Sequence, residues 1–329
     1  VLASIVLLIS MSTSLTTLEA ADTSTKVLEG VHWAGPSVTL EGLHGKTVVL
    51  IDYATWCPIC NKWSGEVCRQ IKEAITDKPV VVLAINTDQT LGNVRPYLEA
   101  RDFLAPNIVH GYDPSIAKRN ALPDLWGYMI IDPEGKIVEK GHVGSYSGGD
   151  ANKVFVLPKK LQEQTTLGEF IVIDPKMADT VKNALWPMEL GVGTSAELRK
   201  FKGEQKQQVD AALAKYGEKE LEKIHELAVG DVESQFAAYD CANALGLQLK
   251  GSDSAKLARK AALALEADPK FKRELAAKKA YERCEKTPAI TSRATALKTL
   301  IKRFEGTIYA NKAKEAVESA GLSPKAAKQ

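Results

Sequence analysis

The stretch KTVVLIDYATWCPICNKWSGEVCRQIKEAI, residues 46–75, decides the fold of the first half of the chain. Residues 46–54 are nearly continuous in apolar, β-branched character, which suits a central strand covered on both faces. From Asn61 to Ile75 the apolar residues recur at helical spacing, and PVVVLAIN at 79–86 reads as a second buried strand. Strand, helix and strand in that order make a parallel pair joined by a right-handed crossover. Further on, WGYMIID and KIVEKGHVG flank Asp132-Pro133-Glu134-Gly135, the pattern of an antiparallel hairpin with a tight turn. A parallel pair and an antiparallel hairpin on one sheet predict a mixed sheet flanked by helices.

Between the first strand and its helix sits Cys57-Pro58-Ile59-Cys60. Pro58 falls in the first helical turn, where a missing N–H costs nothing. Unpaired N–H groups and the helix dipole at that end favour a thiolate, so Cys57 is expected to be the nucleophile. Cys60, on the same helix face, is close enough to close a disulfide with it and would resolve the intermediate. Three competing readings use the same residues. A zinc site needs four ligands, yet there is no second C-x-x-C, and His32, His44, His110, His142 and His225 are scattered along the chain. Two inert core thiols fit poorly with Trp56 before the pair and Pro58 inside it. A thiol peroxidase using Cys57 calls for a hydroxyl before the cysteine and an Arg near the hairpin, where Ala54 and Trp126 stand. Dithiol exchange is the reading the residues favour.

The chain has 329 residues, 45% of them hydrophobic and 26% charged, enough for two domains that bury cores without disulfide stapling. Its five cysteines are therefore individual features rather than a scaffold. A net charge of +2, with no basic cluster interleaved with aromatics, gives no reason to expect a nucleic-acid partner. Residues 1–21, apolar from Val1 to Ile9 and ending in Ala20-Ala21, read as a secretory signal peptide whose basic n-region is truncated. Export to the periplasm or outside the cell follows, in a compartment that permits disulfides. A membrane anchor arises only if this leader stays uncleaved.

After residue 174 the text turns to Ala, Lys, Glu and Leu, with apolar residues three and four apart and Gly, Asp or Pro at helix-length intervals. Residues 174–329 are thus expected to form an all-α domain, a bundle or a stack of helix pairs whose last pair is tetratricopeptide-like. The first domain is expected at 27–165, with a junction at 145–173 that includes Gly148-Gly149. SAELRKFKGEQKQQVDAALAKY and EKELEKIHELAVG read as two helices separated at Gly217. Cys68 reads as a buried thiol, and Cys241 and Cys284, on separate helices, as a pair that closes only if those helices meet.

Residues 36–144, with LEGLHGKTVVLIDYATWCPIC at their heart and GYMIIDPEGKIVEKGHVG at their end, resemble the exported thioredoxin-like proteins of the TlpA/ResA group, within the AhpC/TSA and thioredoxin superfamily. The resemblance implies an α/β thioredoxin-like fold and thiol-disulfide exchange with protein substrates through Cys57 and Cys60. No cofactor is expected, and no residue is named as a metal ligand. It also implies a cis-proline before the first hairpin strand, where this chain has Trp126, with Pro123 three residues earlier. The buried acid that tunes the second cysteine in thioredoxins falls at Ile51, with Asp52 one residue later. Trp56, Pro58, Asp52, Pro123 and Trp126 are accordingly the candidate supporting residues, with Ile59 at the rim. The helical half lies outside the resemblance and is expected to bind a protein partner, the alternative being that it carries the whole function as an interaction module.

Overall fold

The computed structural model describes residues 26–88, 94–123, 126–145, 154–164 and 167–319. The leader expected at 1–21 and Gly148-Gly149 of the junction lie outside the described residues. The chain divides into two compact units, Val1–Gly193 and Thr194–Gln329.

In the first unit, strands β1 (His32–Trp33), β2 (Thr47–Tyr53), β3 (Val80–Asn86), β4 (Ile108–Tyr112), β5 (Gly127–Ile131) and β6 (Ile137–His142) form a sheet in the order β1-β4-β3-β2-β5-β6. The run of β-branched residues has the expected result: β2 and β3 are buried over their whole length. They lie parallel, Thr47 opposite Val80 and Tyr53 opposite Asn86. β4 continues the parallel set beside β3, while β5 returns antiparallel to β2 and β6 antiparallel to β5.

Helix α1 (Pro58–Ile75) packs Val67, Cys68, Ile71 and Ile75 against Val49, Ile51 and Tyr53 on one sheet face. Two short helices, α2 (Val94–Glu99) and α3 (Ile116–Arg119), flank β4 in sequence. The β5–β6 turn closes through Asp132, whose Oδ1 accepts the Lys136 N–H at 2.8 Å while its carbonyl accepts the Gly135 N–H at 3.0 Å. Gly135 sits at φ +85°, which explains a glycine there. After β6, a small pair of strands, β7 (Gly144–Ser145) and β8 (Val154–Phe155), leads into α4 (Val156–Glu163), whose Leu157 and Leu161 enter the same core as α1.

The unit boundary lies later than composition suggests. Helix α5 (Asp179–Glu189), which reads as part of the helical half, belongs to the first unit. Its Glu189 pairs with Lys46 at 3.0 Å, both side chains fully buried. The same carboxylate accepts the backbone N–H groups of Ile171 and Val172 at 2.8 Å and of Ile173 at 3.1 Å. Gly168 bridges to Lys46, and a Cβ there would strike the Gly45 carbonyl, so only glycine permits the approach. These contacts hold 167–189 against the start of β2, a long-range arrangement that composition does not encode.

In the second unit a 3₁₀ turn (Ser195–Lys200) precedes α6 (Gly203–Ala228), α7 (Val232–Gln248), α8 (Asp253–Ala267), α9 (Pro269–Glu285), α10 (Ile290–Arg303) and α11 (Ile308–Ser319). Side-chain N-caps start four of these helices, from Asp231, Ser252, Asp268 and Thr307. Each helix packs on the next, and α6 also meets α8. The two helices expected on either side of Gly217 are one continuous helix, α6. Gly217 is kept inside it because its bare face takes Ser254 of α8, where any Cβ would collide. Cys241 and Cys284, on α7 and α9, are not joined by a disulfide. Among the described residues no helix is long and apolar enough to cross a membrane.

His110 on β4 gives the first unit an acid-labile element. Burial pushes its imidazole down from 6.5 to about 4. The unfolded chain takes up this proton near pH 6.5 and the folded chain does not, so stability present above that pH is lost as pH falls towards 4. The loss over the whole window is expected to reach about 3 kcal/mol. Urea denaturation at pH 7 and pH 4.5 checks it: His110→Leu should remove most of the difference between the two midpoints.

Candidate active site

Cys57 is the N-cap of α1 and Pro58 its first residue, so the dithiol stands where the helix begins, as the strand-to-helix motif requires. Cys57 and Cys60 are joined by a disulfide, their Cα atoms 5.2 Å apart. The Cys57 Sγ also accepts the Cys60 backbone N–H at 3.3 Å. That N–H is one of the helix's first, otherwise unpaired donors, and it would stabilise a Cys57 thiolate. No acidic residue occupies the first turn of α1. The two sulfurs differ in access, Cys57 being 9% exposed and Cys60 2%. Trp56 beside them is 65% exposed, a large apolar side chain left at the rim. The side chain of Ile59 lies outside the described residues.

Trp126 occupies the position directly before β5, is buried in the same core as the two cysteines, and has φ +69°. Positive φ at so bulky a residue is an outlier, fixed here by its carbonyl, which accepts the Val143 N–H at 2.8 Å. No cis peptide bond occurs among the described residues, Pro123 included, so the expected cis-proline is not found there. Pro123 lies in the loop before β5, its carbonyl against Gly127.

Asp52 is buried, but alternation along β2 puts it on the sheet face opposite Ile51 and Tyr53 and therefore opposite α1. Its Oδ1 instead adjoins Gly127 on β5. The structure brings Cys57, Cys60, Trp56, Pro58 and Trp126 together and sets the Asp52 carboxylate and the Pro123 carbonyl against Gly127.

Behind the dithiol, one turn further along α1, Tyr53, Ser64, Cys68, Tyr97 and Trp126 line a cavity of about 20 Å³. Burial pushes the Cys68 thiol up to about 12, against the smaller opposing pull of Arg101 and Lys72. Cys68 is thus a protonated, unreactive thiol at neutral pH. Among the described residues no group of three or more His, Cys, Asp and Glu side chains is arranged to hold a metal ion.

Sequence reasoning missed the polar frame of the motif. Asp88, just past β3, accepts the Thr55 N–H at 3.0 Å and the Thr55 hydroxyl. Asn61 donates its side-chain amide to the Thr55 carbonyl at 2.8 Å and its backbone N–H to the Cys57 carbonyl at 2.9 Å. Arg101 donates to the Asn61 Oδ1 at 3.0 Å, to the Tyr97 carbonyl at 3.0 Å and to the Ser64 hydroxyl, while its guanidinium stacks 3.5 Å from the Tyr97 ring centroid. Adjacency to Cys60 is the only feature of the sequence that could have drawn attention to Asn61; Asp88 and Arg101 come from distant segments.

Residues 19–155 match the Redoxin family. The mixed sheet flanked by helices gives the N-terminal unit a thioredoxin-like fold. The chain is 30% identical over 109 residues to the thiol-disulfide oxidoreductase ResA of Bacillus cereus, a match covering 32% of this chain and 60% of that protein. It therefore spans about three fifths of the length of this relative. Among solved structures, the thioredoxin-like unit is similar to a thiol-disulfide isomerase from Corynebacterium glutamicum, at 20% identity, TM-score 0.33, and coverage of 42% of this chain and 92% of that one. The thioredoxin domain of a thiol-disulfide oxidoreductase from Bacteroides vulgatus is similar at 23% identity, TM-score 0.29, and coverage of 33% and 80%.

Proposed function

We propose that this protein is an exported thiol-disulfide oxidoreductase that acts on protein cysteines through Cys57 and Cys60. The observation that carries the reading is the Cys57–Cys60 disulfide at the N-terminus of α1, with the outer sulfur facing the Cys60 N–H. The match to the ResA protein of Bacillus cereus supports the same chemistry. In reduction, the Cys57 thiolate attacks one sulfur of a substrate disulfide, forming a mixed disulfide and expelling the other substrate sulfur as thiolate. Cys60, deprotonated, then attacks the Cys57 sulfur and releases the second substrate thiol. Two electrons pass to the substrate and the dithiol ends as a disulfide; oxidation runs these steps in reverse.

Trp56 offers an apolar contact for the substrate chain next to the attacking sulfur, and Trp126 backs the dithiol from the hairpin side. Asp52 is given no part in proton transfer, because its face of the sheet is turned from α1. The helical unit is assigned to holding a protein partner or client, since stacked helices present extended surfaces. Export rests on the apolar, Ala-terminated pattern of residues 1–21.

Insulin reduction by the full chain with dithiothreitol tests the reading. Turnover above background, lost in Cys57→Ser, is the expected result. Turnover no faster than the reagent alone would leave the thioredoxin-like unit as a scaffold for the helical one.

A further inference from the structure

The turn that delivers Cys57 is held from two sides by residues distant in sequence. Asp88 fixes the Thr55 N–H and hydroxyl from the end of β3. On the other side, the Asn61 side chain grips the Thr55 carbonyl, and the fork of Arg101 holds the Asn61 oxygen together with Ser64 and the Tyr97 carbonyl. Asn61 is the centre of this frame. Its side chain ties down the residue two before Cys57, and its backbone N–H takes the Cys57 carbonyl.

We propose that Arg101, acting through Asn61, is a positioning residue for the dithiol, holding the Thr55–Cys57 turn so that the Cys57 sulfur stays on the Cys60 N–H. The proposal rests on the reading of Cys57–Cys60 as the working pair. An amide side chain alone would rotate between water and the Thr55 carbonyl. With its oxygen bonded to a guanidinium, and that guanidinium fixed by two further acceptors and the Tyr97 ring, the amide can present only its NH₂ to Thr55. The arrangement needs a planar donor with several N–H groups in fixed directions, which lysine does not have. The charged groups framing this turn are Asp88, whose carboxylate is occupied by Thr55, and Arg101; the first turn of α1 adds no acid.

In the reduced protein the Cys57 thiolate depends on the Cys60 N–H for a charge-assisted bond. Loosening the turn weakens that bond, so the Cys57 thiol should become less acidic and the dithiol form less favoured. The test uses the full chain as wild type, Arg101→Met, Arg101→Lys, Asn61→Ala and the double variant Asn61→Ala/Arg101→Met. The Cys57 alkylation rate is titrated with iodoacetamide, and the reduction potential is measured in glutathione buffers. Both single variants should raise the Cys57 pKa by about one unit, a tenfold loss of thiolate at a pH below both values. At a pH above both values the potential should move about 30 mV more negative, the equivalent of tenfold in the equilibrium constant.

Three further results bear on the mechanism. Arg101→Lys should behave like Arg101→Met; a wild-type titration in Arg101→Lys would mean that charge alone suffices and would overturn the positioning role. The double variant should be no worse than either single change, because the two residues form one path; additive effects would equally overturn it. Lowered thermal midpoints with unchanged pKa and potential would show a merely structural contact. Asn61 is exposed and its alanine variant keeps the guanidinium, so the test stands even if Arg101→Met folds poorly. Both readouts are taken on the protein's own thiols, so they report on Arg101 even when insulin is not turned over, which separates this proposal from the failure of the dithiol reading.

Discussion

Cys57→Ser should bring thiol-disulfide exchange down to background, whereas Cys60→Ser should leave the first step intact and accumulate mixed disulfides with substrate proteins. The asymmetry follows from position. Cys57 caps α1 and is the more accessible sulfur, while Cys60 is one turn in and almost fully covered. With Cys60 removed, attack still occurs but nothing resolves the intermediate. Non-reducing electrophoresis followed by dithiothreitol release reads the trapped species. Equal trapping by both variants would reverse or abolish the assignment of roles. Trapping by neither, with stoichiometric zinc in the purified protein, would turn the site into a metal centre.

Glu189→Ala should be the most destabilising single change in the first unit outside the central strands, at about 3–5 kcal/mol. Removal of the carboxylate strands the Lys46 ammonium in the interior, and it also orphans the N–H groups of Ile171, Val172 and Ile173. Lys46→Met should cost markedly less, because the carboxylate keeps its three backbone donors and a similar volume is refilled by apolar atoms. Urea unfolding of the two variants, followed by tryptophan fluorescence, measures the difference. Equal losses would mean that the ion pair, rather than the capped 171–173 turn, supplies the stability.

Much of this protein is legible in its residues taken in order, because the determining interactions are short in range. The β-branched runs at 47–53 and 80–86 become the two fully buried parallel strands, since period and composition report burial on both faces. The Asp132–Gly135 turn and the Cys57–Cys60 helix start are local events too, set by a carboxylate, a glycine and a proline within a few residues of one another. Helix α6 shows where such reasoning stops. Gly217 looks like a break because glycine is a poor helix former, yet it is retained in mid-helix to let α8 approach.

By itself the sequence determined that a strand-helix-strand unit carries a dithiol at a helix N-terminus and that a helical region follows it. Tertiary structure alone decided three further things. It drew α5 into the first unit through Glu189 and Lys46, residues whose charges gave no hint of burial. It turned Asp52 to the sheet face opposite α1, since one residue of register separates the two faces of a strand. It also assembled Asp88, Asn61 and Arg101 around the Cys57 turn, from segments that meet only when β3 and α2 are packed beside α1. Local pattern reports which face of an element is buried; which polar groups converge on a site depends on contacts between elements, and those exist only once the chain has closed on itself.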